Sequence, residues 1–468
     1  VSTLDHVMEK DHMALEARAR NIRPLGSRIE HLARHSPARL TLLVFAFIIL
    51  IITSLLLMPF AKAGPGGASL IEALFTATSA VCVTGLTIVD TATYWTGFGH
   101  AVIAIGVQIG GLGVMTLASI LGLAVSRHIG LTQRLLAASE RKSELGNIGG
   151  LLKAVVLVSI LAELLIALAL FPSIMVREET FLAALGQSIF MALSTFNNAG
   201  FVITDAALAS FVGNWAVSLP IILGTMVGAI GFPVILNISQ NPGSPRRWSL
   251  HTKLTLVTYF SIWVLAVAMI GALEWNGSFS NLSTNERLLA TLVQGTTPRS
   301  SGLSTVDIST MSEGTWFVMD ALMFIGAGPA STGGGIKVTT FAVLVLAIIA
   351  EARGDRDTEA FGKRIPADVL RLAISATFIG ALLVGIATLT ILNLSGLPLS
   401  RVLFEAISAF ATVGLSTGIT ADLPSSAHAI LIILMYLGRV GTMTFAAALA
   451  LRSRRRVIRM PEDRPIIG

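Results

Sequence analysis

Long apolar runs, separated by short polar segments that carry glycine, dominate the chain from residue 40 onward. LTLLVFAFIILIITSLLLMPF, from Leu40 to Phe60, contains no charged residue. About 20 such residues suffice for a helix to cross a bilayer. Seven more runs follow, at 98–125, 151–176, 216–239, 252–273, 315–350, 367–393 and 427–451. Eight spans are therefore expected, and an even number puts both ends on one side.

Composition makes lipid the expected solvent. The 468 residues are 53% hydrophobic and 13% charged, with mean hydropathy +0.78, leaving too little polar sequence to cover a soluble core. Of 33 Lys and Arg, 26 fall before residue 40, in 126–153, in 240–253, in 351–371 or after 451. The positive-inside bias makes that face, with both termini, cytoplasmic. Lys62, Arg177, Arg287 and Arg401 fall in outward loops, which leaves Arg299, Lys337 and Arg439 at membrane depth. The pI near 9.8 is then topology and attraction to anionic lipid heads, not nucleic-acid binding. The single cysteine, Cys82, excludes an internal disulfide and a Cys-based metal cluster. No cleavable signal peptide is expected, because about forty charged and polar residues precede the first run, too many for an n-region.

Between the spans of each pair lies a helix-like segment too short to cross, followed by a glycine. Four align: IEALFTATSAVCVTGLTIVD, LGQSIFMALSTFNNAGFVITD, LLATLVQGTTPRSSGLSTVD and LFEAISAFATVGLSTGITAD. Each has glycine, a bulky apolar residue, a nearby Thr or Ser and a final aspartate: Asp90, Asp205, Asp307 and Asp422. The glycines Gly85, Gly200, Gly302 and Gly414 stand 115, 102 and 112 residues apart. Four units of span, half-helix, loop and span therefore tile the chain. Irregular backbone at membrane depth persists only where protein or a water-filled path satisfies it.

Such loops suit a dehydrated cation. Carbonyl oxygens replace hydration oxygens without fixed charge, glycine brings the backbone close to the axis, and each half-helix aims its negative end at the cavity. Thr84, Ser301 and Thr412 offer hydroxyls and Asn198 an amide oxygen. No Asp or Glu lies in Val83–Leu86, Asn198–Phe201, Ser300–Leu303 or Thr412–Leu415. Thr412-Val413-Gly414 also matches the start of the filter loop of tetrameric potassium channels, although the other loops are not identical to it.

With these motifs the chain resembles the ion-conducting subunits of the Trk/Ktr/HKT superfamily of potassium transporters, most of all the KtrB type, over about residues 38–456. The resemblance implies an all-α membrane protein with eight transmembrane helices, in four pseudo-repeats of transmembrane helix, pore half-helix, filter loop and transmembrane helix around a central pore. The units expected are a cytoplasmic basic segment 1–38, pore repeats 39–130, 131–245, 246–355 and 356–456, and a cytoplasmic tail 457–468. It implies potassium coordination by Val83, Thr84 and Gly85, by Asn198, Ala199 and Gly200, by Ser300, Ser301 and Gly302, and by Thr412, Val413 and Gly414. Potassium is then transported substrate, with sodium as a possible coupling ion and no organic cofactor. The implied partners are a second copy of the chain, a cytosolic nucleotide-binding ring of the KtrA type, and membrane lipid. A less selective monovalent cation channel or transporter is the alternative.

The run FIGAGPASTGGGIKVTTF holds five glycines and Pro329 between Gly326 and Gly335, so a continuous helix is not expected there. One reading is a kink tolerated by neighbours. The sharper one is an unwound loop that closes the pore from inside, built from Gly326, Gly328, Pro329, Gly333, Gly334 and Gly335, and the resemblance to the KtrB type supports it. Arg439 would donate to the loop's carbonyls and Lys337 would sit at the cytoplasmic rim; the bland alternative for Arg439 is helix-end anchoring. Arg299, three residues before Gly302, would brace the filter from behind rather than touch the ion. Glu72, Glu286 and Glu405 suit half-helix starts or loop pairing, and the four aspartates suit turns as well as an outer mouth. Gly414-Leu415-Ser416-Thr417-Gly418 matches G-x-S-x-G but lacks the preceding strand, and GPASTGGGIK fails the phosphate-loop spacing, so no enzyme is expected.

Overall fold

The computed structural model describes residues 37–127, 148–178, 180–204 and 208–441. Among them fourteen helices carry the architecture. In chain order they are α1 (Pro37–Leu56), α2 (Leu70–Val81), α3 (Gly97–Arg127), α4 (Ile148–Met175) and α5 (Phe181–Asn197). Next come α6 (Trp215–Ile230), α7 (Phe232–Gln240), α8 (Leu250–Glu274), α9 (Thr284–Thr296) and α10 (Glu313–Phe324). The last four are α11 (Val338–Arg353), α12 (Ala367–Ser395), α13 (Leu399–Phe410) and α14 (Ser425–Tyr436). One hairpin, Glu359–Ala360 against Lys363–Arg364, links α11 to α12.

The stretches Gly97–Thr116, Leu152–Met175, Leu250–Glu274 and Ala367–Ser395 are long and apolar enough to cross a membrane, and α6 with α7 makes a fifth if the bent pair is one span. Only 22–28% of α4, α8 and α12 is buried, against 50% of α3. Leu161 and Leu164 of α4, Val257 and Val264 of α8, and Phe378 and Leu389 of α12 are exposed. Apolar outer faces of this extent fit lipid as solvent.

Three expected spans are interrupted. The run 216–239 bends by 91° between α6 and α7, a break the apolar pattern did not announce. Gly231 has φ +97° there, and Pro233 in the first turn of α7 starts a new helix direction. The run 315–350 is two helices, α10 and α11, separated by the glycine-rich stretch. The last run leaves α14 through a wide turn with i to i+5 bonding, Leu437–Gly441; the rest of it lies outside the described residues.

The four short helices α2, α5, α9 and α13 sit inside. Each packs on the long helix before it, and beyond that the contacts close on themselves: α3 lies against α5, α6 against α9, α10 against α13 and α14 against α2. Small residues permit the approach. A Cβ added at Gly110 of α3, Gly228 of α6 or Gly438 would land on the carbonyl of Val81, Phe196 or Phe410, at the ends of three of the short helices.

Candidate ion-conduction site

Two short helices begin with a reciprocal cap, in which a serine hydroxyl accepts from the third helical N–H and the glutamate there accepts from the serine N–H. The pairs are Ser69 with Glu72, at 3.3 and 2.7 Å, and Ser283 with Glu286, at 3.4 and 2.8 Å. Thr180 caps α5, and α13 follows Pro398 without a side-chain cap. Tyr94 donates to the Glu72 carboxylate at 2.6 Å; burial first, then that carboxylate, push its phenol above the ordinary range.

At their other ends all four helices release the chain in the same way. Val83, Asn198, Ser300 and Thr412, each two residues before the glycine, have φ of +56°, +57°, +67° and +48°. Gly85, Gly200, Gly302 and Gly414 then take +90°, +73°, +68° and +91°. Eight left-handed positions in four matching pairs reverse the chain, and side chains adopt them only at a cost. In α2 and α13 a serine six residues upstream holds the glycine N–H: Gly85 donates to Ser79 Oγ at 3.0 Å and Gly414 to Ser408 Oγ at 3.1 Å.

These four glycines meet. Space beside Gly85 is filled by Ala199 O and Gly200, beside Gly200 by Ser301 O and Gly302, beside Gly302 by Val413 O and Gly414, and beside Gly414 by Thr84 O and Gly85. The order is cyclic, and the peptide oxygen before each glycine lies against the neighbouring loop's glycine. A narrow ring lined by backbone can exchange oxygen ligands with a small cation and carries no fixed charge.

Side chains add less than the sequence suggested. Asn198 is turned outward: with its amide oriented to satisfy both ends, Oδ1 accepts from the Thr332 hydroxyl at 2.7 Å and from Ala229 N–H at 3.3 Å, while Nδ2 donates to Thr225 O at 3.3 Å. The Ser301 hydroxyl pairs with that of Thr225 at 3.1 Å, and Ser300 Oγ donates to Ala411 O at 3.1 Å and accepts from Gly334 N–H at 3.2 Å. The buried hydroxyls of Thr84 and Thr412 have no partner among the described residues.

The glycine-rich stretch packs directly against this ring. Gly328 N–H donates to Ala229 O at 2.8 Å and Phe232 N–H to Ala330 O at 3.3 Å, which ties it to the break between α6 and α7. A Cβ at Gly231 would come within 2.5 Å of Pro329 O, and one at Gly333 within 2.8 Å of Ser300 Cβ. Gly326 and Gly335 touch each other, and Gly334 abuts the Thr412 side chain. Arg439, buried in the wide turn after α14, donates to Thr332 O and, at 3.2 Å, to Gly110 O. Lys337 donates to Gly333 O at 2.6 Å.

Arg299 is fully buried but points away from the ring, donating to Tyr259 O at 2.8 Å with its guanidinium 3.4 Å above the Tyr259 ring. It anchors the third loop to α8, not to the loop's carbonyls. Asp90 and Asp307 cap short turns, accepting from Ala92 N–H at 3.3 Å and Ser309 N–H at 2.9 Å; Asp205 lies outside the described residues. Glu405 sits midway along α13, where it accepts from Ser416 Oγ at 2.6 Å, Thr417 N–H at 2.9 Å and Thr420 Oγ1 at 2.8 Å, clamping the chain after Gly414.

Sequence reasoning missed one cluster. Asn197, ending α5, donates to Gln108 Oε1 of α3 at 2.8 Å and to Glu163 Oε1 of α4 at 3.0 Å, and Gln108 donates to Glu163 Oε2 at 3.1 Å. This buried carboxylate holds Asn197, the residue immediately before the second loop. A charged residue inside an apolar run was the available signal.

A family model described as TrkH, cation transport protein, matches residues 66–455. The chain is 38% identical over 440 residues to the Ktr system potassium uptake protein B of Bacillus subtilis, covering 93% of this chain and 97% of that protein. It is 31% identical over 447 residues to the potassium/sodium uptake protein NtpJ of Enterococcus hirae, covering 93% and 98%. In fold it is similar to the potassium transporter TrkH from Vibrio parahaemolyticus, with a TM-score of 0.70 at 20% identity over 88% of this chain and 84% of that one. These relatives are named as transporters, not enzymes. Matched across most of its length, the chain belongs to the TrkH family of cation transport proteins.

Proposed function

We propose that this chain is the translocating subunit of a potassium uptake system, with the ring of Gly85, Gly200, Gly302 and Gly414 as its selectivity filter. The observation that carries the reading is the cyclic contact of four glycines with four peptide oxygens. Val83, Thr84, Asn198, Ala199, Ser300, Ser301, Thr412 and Val413 contribute backbone oxygens, with Thr84 and Thr412 adding hydroxyls that have no partner among the described residues. The four repeats occupy 39–130, 131–245, 246–355 and 356–456, with eight crossings and both termini cytoplasmic, as the Lys and Arg distribution favours.

The glycine-rich stretch is the gate. Arg439 and Lys337 hold it by its own carbonyls, and Arg299 fixes the loop above it. The likeness to a protein of a Ktr system supports a two-component assembly, namely a homodimer of this chain on a cytosolic nucleotide-binding ring of the KtrA type. The likeness to a potassium/sodium uptake protein supports sodium as coupling ion, and equally a less selective monovalent cation pathway. Uptake of radiolabelled rubidium into proteoliposomes, with and without a sodium gradient, decides among these. Potassium competing far better than sodium supports the filter; equal competition supports the less selective pathway.

A further inference from the structure

Positive charge collects without compensation at the start of α11. Lys337 is its N-cap residue, the unfavourable sign for a helix N-terminus, and no side chain caps the helix. The start of α12, at Pro366, is uncapped as well, as are α7, α13 and α14, whereas Ser, Thr or Asn caps α2, α5, α6, α8, α9 and α10. Among the described residues no carboxylate pairs with Lys337. Its ammonium donates to Gly333 O.

The starts of α11 and α12 open into one cavity of about 370 Å³, which the first turn of α8 also lines. Its polar lining comes from His251, Lys337, Thr339 and Thr340. The remaining wall, including Leu254, Val343, Val369 and Ala373, is apolar. That wall continues onto exposed apolar surface at Val257 of α8 and at Val369, Ile374 and Phe378 of α12. The cavity lies on the face that carries Arg246, Arg247, Lys253 and Arg364, the cytoplasmic side by charge.

We propose that this cavity binds an anionic phospholipid of the cytoplasmic leaflet. The headgroup phosphate meets Lys337, His251 and the first-turn amides of Thr339 and Thr340, Val338 N–H being engaged by Ala327 O at 3.2 Å, and one acyl chain lies along Leu254, Val343, Val369 and Ala373. Helix N-termini and basic side chains favour phosphate, and the apolar wall favours a lipid over dissolved phosphate. A phosphate there competes with the Gly333 carbonyl for the Lys337 ammonium, so lipid binding loosens the glycine-rich stretch. That consequence rests on the gate proposed above; the binding itself does not.

The test measures retention of tritiated dioleoyl phosphatidylglycerol and phosphatidylcholine by the purified full-length protein in detergent. Expected is saturable capture of phosphatidylglycerol over phosphatidylcholine, weakened about ten-fold in Lys337→Gln, the equivalent of ~1.4 kcal/mol, and restored in Lys337→Arg. Val369→Trp, at a partly exposed position that tolerates a larger side chain, blocks the apolar slot and lowers capture even if Lys337→Gln fails to fold. Equal retention of the two lipids, or wild-type capture by Val369→Trp, overturns the site. Full displacement by millimolar inorganic phosphate makes it a free-anion site and overturns the assignment to lipid. Rubidium flux, compared in phosphatidylcholine vesicles with and without phosphatidylglycerol, then reads the gate separately. A lipid that binds but leaves flux unchanged refutes the gating consequence and not the site.

Discussion

Alanine at each of the four ring glycines gives a graded expectation. All four variants must hold an L-residue at positive φ, which costs roughly 1–2 kcal/mol. They differ in what the new methyl meets. At Gly414 it lands on Thr84 O; at Gly85 and Gly302 it comes within 2.5 Å of Ala199 O and Val413 O. At Gly200 the nearest atom, Ser301 O, is 3.1 Å away, tight but reachable by a small shift. Gly414→Ala must therefore push a neighbouring loop's oxygen off its position, and Gly200→Ala need not. The assay is uptake of radiolabelled rubidium into proteoliposomes under competition by potassium or sodium. Gly414→Ala is expected to lose about ten-fold or more of the preference for potassium, equivalent to ~1.4 kcal/mol of differential binding. Gly85→Ala and Gly302→Ala come next, and Gly200→Ala loses least. Wild-type preference in Gly414→Ala, or Gly200→Ala as the worst of the four, refutes the reasoning.

Deleting part of 328–335 removes the obstruction packed against the ring and raises flux; reduced flux at normal membrane expression contradicts the gate. Arg439→Gln, which removes the charge bonded to Thr332 O and Gly110 O, raises basal flux as well, and unchanged flux assigns Arg439 to simple anchoring. Glu163→Leu strands the Gln108 Nε2 donor, at a cost of roughly 1–3 kcal/mol, while Asn197 keeps Gln108 Oε1 and Leu193 O as acceptors. It lowers the unfolding midpoint in detergent well below that of Glu163→Gln, and equal midpoints sink the network. Arg299→Leu lowers selectivity through the third loop, because its bond to Tyr259 O and its stacking on the ring are lost; wild-type competition by sodium in that variant argues against a bracing role.

The long helices were legible because lipid tolerates only apolar outer faces, which leaves uninterrupted runs in the sequence. The loops were legible because one glycine recurs in the same place between such runs, and the gate region because no helix survives five glycines and a proline in ten residues. The bend at Gly231 was hidden by continuous apolarity on both sides, although Pro233 marked it. Asn198 and Ser301 read as ligand side chains, but their orientation depends on Thr225 and Thr332, which come from elsewhere in the chain. The Gln108–Glu163–Asn197 cluster draws on three helices far apart in sequence, so only the isolated carboxylate signalled it. A hydroxyl six residues before each glycine, at Ser79, Ser194, Thr296 and Ser408, was a readable repeat; Ser79 and Ser408 hold the glycine N–H, while Thr296 accepts from Trp263.

Thallium or rubidium located by anomalous scattering in crystals of the protein tests the central claim most directly. The account predicts a peak at the centre of the ring, about 3 Å from the carbonyl oxygens of Thr84, Ala199, Ser301 and Val413, as expected for ions held by backbone oxygens. A ring without density, with the ion bound instead at the carboxylates of Glu163 or Glu405, would contradict it.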